Sequence, residues 1–109
     1  MTPPAEMAQR IARLQADLIE QGRRVLSMLE AAFDAAFARD PERASAAEAR
    51  DDEIDAVDVA IERAAVQLLS DATRAGAAMD PSDLRSVLTI VKVNNELERI
   101  ADCAVEVAG

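Results

Sequence analysis

Apolar residues recur by threes and fours along nearly the whole chain, and almost nowhere by alternation, which is the spacing of amphipathic helices. Met7, Ile11, Leu14, Leu18, Val25, Leu29 and Phe33 make one stripe, broken by a polar gap at Gln21 and Gly22. Ile54, Val57, Ile61, Ala64, Ala65 and Leu68 make a second. Leu84, Val87, Leu88, Val91, Leu97, Ala101, Ala104 and Ala108 make a third. Two Asp-Pro steps punctuate the pattern, Asp40-Pro41 and Asp80-Pro81. Aspartate caps a helix N-terminus, and proline suits the first helical position, where no N–H is needed. Gly76 precedes the second step, where a helix C-terminus favours glycine. The spacing predicts helices over about 5–38, 41–75 and 81–108. Short connections make consecutive helices antiparallel, so the expected fold is all-α, an up-down-up three-helix bundle forming one domain over 1–109.

Composition narrows what such a bundle can do. Half of the chain is apolar, but much of that is alanine, and Phe33 and Phe37 are the only aromatics. They are expected to plug one end of the bundle, or else to meet a partner chain. The methionines at 7, 28 and 79 read as gap fillers or as residues near element ends. Acidic residues outnumber basic ones 21 to 12, for a net charge of −9. That balance argues against nucleic acid and anionic membrane surfaces, which need clustered Lys and Arg. No apolar run approaches the ~18 residues of a membrane span, and none follows "MTPPAEMAQR" as a signal peptide requires, so a cytoplasmic setting is expected. Cys103 is alone, and histidine is absent. There is no internal disulfide, no His-based zinc site and no His acid–base pair, and the chain does not read as an enzyme.

Charge inside the apolar pattern is the candidate chemistry. In "NNELERIADCA", Glu98 and Asp102 stand one turn apart within the third stripe, with Asn94 and Asn95 beside them. In "RDDEIDAVDVAIE", Asp51, Asp55, Asp58 and Glu62 step by four, three and four into an acidic ridge on the second helix. Like charges at this spacing repel, and no Lys or Arg shares the ridge. Carboxylates in a partly apolar setting must be paired, protonated or bound to cations. Asp51, Asp55, Asp58, Glu98 and Asp102 are therefore candidate metal ligands, offering all-oxygen ligation for hard cations such as Mg²⁺, Mn²⁺, Ca²⁺ or Fe³⁺. The same residues also fit a solvated ridge with Glu98 paired to an arginine of another helix.

Three blocks in this order resemble the PhoU family, regulators of bacterial phosphate uptake: Asp51 to Asp55, Ser82 to Arg85, and Leu97 to Asp102. The resemblance implies a three-helix unit with multinuclear metal sites, often iron, on Glu/Asp-x-x-x-Asp motifs. Those motifs fall on Asp51 with Asp55, and on Glu98 with Asp102. It also implies a negative regulator that couples the phosphate transporter to its sensor kinase from the cytoplasmic side. The family usually carries the unit twice, so a single unit is expected to form a homodimer. Ala101 stands where relatives have glycine, adding a methyl at a close-packed point.

Two other readings compete with a metal-binding regulatory adaptor. One is a structural dimerisation or assembly module whose acids serve only solubility. The other, a carboxylate-bridged metal oxidase, lacks the histidines that such bundles place beside their glutamates. Val59 and Val66 lie across the ridge from the second stripe and need a neighbour, for which a second chain is the simplest candidate. Arg85 and Arg99 read as surface-pairing residues, and Cys103 as an ordinary thiol on the polar side of the third helix.

Overall fold

A computed structural model describes residues 4–74 and 79–108, so the expectation for Gly76 lies outside the described residues. Helix α1 spans Pro4–Ala38, α2 Pro41–Arg74 and α3 Pro81–Ala108, and no strand occurs among the described residues. Both Asp-Pro steps act as expected. Asp40 Oδ1 accepts the N–H of Glu42 at 3.0 Å, and Asp80 Oδ1 accepts that of Ser82 at 3.3 Å. The first turn is as short as a helix reversal allows. Arg39 takes the left-handed conformation, φ 53°, and the Asp40 N–H returns to the Ala35 carbonyl at 3.3 Å. Together these form a Schellman-type C-cap, in which a glycine is normally found. Arg39→Gly is expected to stabilise the fold by about 1 kcal/mol by relieving the left-handed penalty, measured by urea denaturation.

The bundle measures 56 × 18 × 17 Å, a rod little longer than α1 itself. Its accessible surface of 7009 Å² exceeds the about 5,900 Å² expected of a compact chain of this mass. Each helix contacts both others. The core falls into two apolar clusters. One joins Met7, Ile11, Leu14, Ile61, Ala65, Leu68, Ala72, Val87 and Ile90. The other joins Val25, Met28, Ala32, Ile54, Ala101 and Ala104. A polar layer divides them. Gln21, buried in the supposed gap of α1, donates Nε2 to the Ile54 carbonyl at 2.8 Å. Asn94, equally buried on α3, donates Nδ2 to the Asp58 carbonyl at 3.1 Å and to Asp58 Oδ1.

Several expectations need correction. Leu84 and Leu88 are exposed, and α3 buries Ile90 and Asn94 in their place. Apolar side chains cover a wide arc of α3, and the helix turns its middle, not its Leu84 flank, to the core. Ala64 is also exposed. Phe33 and Phe37 plug nothing: they are 49% and 87% exposed, because Ala32 and Ala35 hold the inner face of α1 at that level. Met28, fully buried, is a core residue proper.

Candidate metal centre

The three helix seams differ in charge. Between α1 and α2 the chain places cations against acceptors: Arg10 on Asp71 at 3.0 Å, Arg24 on Glu53 at 3.5 Å, and Arg50 on the Ser27 carbonyl at 3.0 Å. Between α2 and α3 it places carboxylates against carboxylates. One oxygen from each of Asp55, Glu98 and Asp102 falls within 4.8 Å of the others. A second group on α2 alone, Asp51, Asp52 and Asp55, meets the same limit. Oxygens shared by one hard cation at 2.0–2.5 Å lie within about 5 Å of one another. Asp55 belongs to both groups.

Local sequence explains the convergence. Asp51 and Asp55 are one turn apart on α2, as are Glu98 and Asp102 on α3, so each helix presents its pair on one face. Burial of Ile54 and Ile61 on α2, and of Asn94 and Ala101 on α3, turns those faces toward each other. Asp51, Asp55, Asp58 and Glu98 are half-buried, and Asp52 and Asp102 are exposed at the rim. Asp58 lies outside both groups, where its carboxylate receives the Asn94 amide. Asp52 was not among the sequence candidates. It stands 100° from Asp51 on the wheel and off the ridge, and only its place within the Asp51 to Asp55 block signalled it.

The electrostatics are those of a site short of positive charge. Asp51 Oδ1, Asp55 Oδ1 and Glu98 Oε2 are buried with no hydrogen-bond partner, as is Asn94 Oδ1 next to them. Among the described residues no ion pair joins any of these carboxylates to Lys or Arg; Arg99 pairs with Glu96 on its own helix instead. Burial pushes the Glu98 carboxyl up to about 8, assisted by the proton that a protonated Glu98 can share with Asp55 and by the charges of Asp55, Asp58 and Asp102. Asp51 is raised by burial and then by Asp55, Asp102 and Asp52. Asp58 is raised by burial against a hydrogen bond from Glu98, with Glu62, Asp55 and Asp102 adding to the rise. A buried carboxylate is stable when paired or ligating. Without a cation only the Glu98 proton relieves this crowding, and a multivalent cation in its place would satisfy the orphaned oxygens of Asp51, Asp55 and Glu98 together.

The protein is an all-α bundle with carboxylates from two helices gathered on one seam, close enough together for one hard cation to reach. The profile of the family described as PhoU domain matches residues 18–109, most of the chain, so the chain belongs to the PhoU family. No curated protein and no solved structure gives a significant match.

Proposed function

We propose that the protein is a regulatory adaptor of phosphate transport and phosphate signalling that carries multivalent metal on its α2/α3 seam. Membership of the PhoU family supports the regulatory part. The metal part is carried by one observation: partnerless buried oxygens of Asp51, Asp55 and Glu98, on two helices, with no ion pair to Lys or Arg among the described residues. Asp55 and Glu98 hold the ion from opposite helices and Asp102 closes it at the rim. Asp51 and Asp52 take a second ion, with Asp55 common to both groups. Hard cations fit this oxygen set, iron foremost by family and Mn²⁺, Mg²⁺ or Ca²⁺ by donor type. Ions held between α2 and α3 fix the register of those helices, and so the surface offered to a phosphate transporter or its sensor kinase. No catalytic role is proposed, since every residue of the seam has a binding or positioning task.

Protein purified without chelator is expected to carry stoichiometric multivalent metal by elemental analysis, and Glu98→Gln and Asp102→Asn to lose most of it. Metal-free wild type that also ignores added Mn²⁺, with both variants gaining thermal stability alike, would leave only an assembly module whose acids repel one another.

A further inference from the structure

The face shared by α1 and α3 carries apolar side chains that the fold does not use. Ile19, Leu26 and Phe33 on α1 are spaced by seven residues and are 59%, 58% and 49% exposed. Val93, Ile100 and Val107 on α3 have the same spacing and are 38%, 41% and 44% exposed. The two helices run parallel, and a cleft between them is lined by Leu29 and Phe33 on one side and by Ile100, Cys103 and Val107 on the other. Phe33 and Val107 share that cleft, and equal spacing on parallel helices carries the pairing on to Leu26 with Ile100 and Ile19 with Val93, a ladder of three rungs that repeats once every two helical turns. A row that repeats every seven residues keeps to one side of its helix, as each core position of packed helices does.

Gly22 gives an independent indication. It lies inside α1 between the first two rungs, where glycine is unfavourable relative to alanine. A Cβ at that position would meet no atom within 4 Å, so the chain's own packing does not require the glycine. A backbone approaching from outside would.

We propose that this face docks on a second copy of the same chain. The ladder is self-complementary: a twofold axis through the Leu26–Ile100 rung lays Ile19 of each copy over Phe33 of the other. Charge allows it. Although the chain carries −9, the ladder is flanked by Arg23 and Glu30 on α1 and by Glu96 and Arg99 on α3, which sum to zero. The same axis sets Arg23 opposite Glu30 of the second copy. Two helices over the length of the ladder bury roughly 600 Å² per chain, or about 1,200 Å² in total, at the lower end of specific interfaces. The α2 face expected from Val59 and Val66 offers only those two residues, 42% and 60% exposed.

Sedimentation equilibrium in excess chelator tests this independently of the metal site. Wild type is expected to reach the mass of two chains between about 1 and 500 μM. Leu26→Glu and Ile100→Glu, both at exposed positions, are expected to weaken the dimer at least about 100-fold. Gly22→Leu is expected to weaken it as well, while Val59→Glu leaves it unchanged and all four variants keep the wild-type helical content. A single-chain mass at every wild-type concentration overturns the proposal. So does a dimer that survives Leu26→Glu and breaks with Val59→Glu.

Discussion

Metal-stripped protein titrated with Mn²⁺ at pH 8 is expected to gain more than about 10 °C in melting temperature. A cation that binds the folded chain and not the unfolded one stabilises by about 2.7 kcal/mol at a concentration 100-fold above its dissociation constant. In a domain of this size each kcal/mol moves the midpoint by about 4–8 °C. The gain is large because the ion removes a penalty already present on the α2/α3 seam, where Asp51, Asp55 and Glu98 hold buried oxygens without partners. Asp55→Asn takes an oxygen from both groups at once and is expected to abolish the response. Asp52→Asn, at the exposed rim of the α2 group, should reduce it only in part. Differential scanning calorimetry with and without chelator reads both. Equal shifts in wild type and Asp55→Asn would mean that Mn²⁺ acts elsewhere on this acidic surface.

Much of the fold was legible because its signals are local. Each Asp-Pro step specifies a cap through chemistry confined to three residues, and the structure places both caps where the sequence does. The first stripe predicted Met7, Ile11, Leu14 and Val25 as buried. Pairing choices were less legible. Helix α3 is apolar on both flanks of its core face, with Leu84 and Leu88 toward one side and Val93, Ile100 and Val107 toward the other. Periodicity alone cannot say which third of such a helix turns inward. Gln21 and Asn94 were hidden for a different reason. Each is polar by composition yet buried because a carbonyl or carboxylate on α2 accepts its amide, a partner from more than thirty residues away. The left-handed Arg39 gave no signal, since glycine marks that position in most helix reversals.

The candidate site was legible as a contradiction. Glu98 inside an apolar stripe and four unrelieved acids on α2 both oppose what an isolated helix prefers. That contradiction located the seam but not its membership. Asp58, on the ridge by spacing, is engaged by Asn94, while Asp52, off the ridge, comes within reach of Asp51 and Asp55. Which carboxylates meet depends on side-chain reach across the seam, and a helical wheel carries no such information.

The same charge crowding sets the pH behaviour of the metal-free protein. Glu98 holds its proton up to about 8 when folded, against an ordinary 4.5. A carboxyl raised in this way favours the folded state fully below pH 4.5, and the advantage is lost as pH rises to 8. In chelator, wild type is therefore expected to be less stable at pH 8.5 than at pH 5. Half-burial and screening leave a difference of about 2–3 kcal/mol from Glu98. Asp51 and Asp58, both raised, contribute in the same direction at lower pH. Glu98→Gln keeps the shape and removes the proton, so its urea midpoint should hold nearly level from pH 6 to 8.5 and exceed that of wild type at the upper end. Cation binding must expel the same proton. Below pH 8 the Mn²⁺ affinity of wild type is expected to fall by up to tenfold per pH unit from this group alone, with the released proton detected by calorimetry in buffers of different ionisation enthalpy. A wild-type midpoint that instead rises from pH 5 to 8.5 would mean that the Glu98 carboxylate finds a cation of the chain in solution, and that the seam needs no ion from outside.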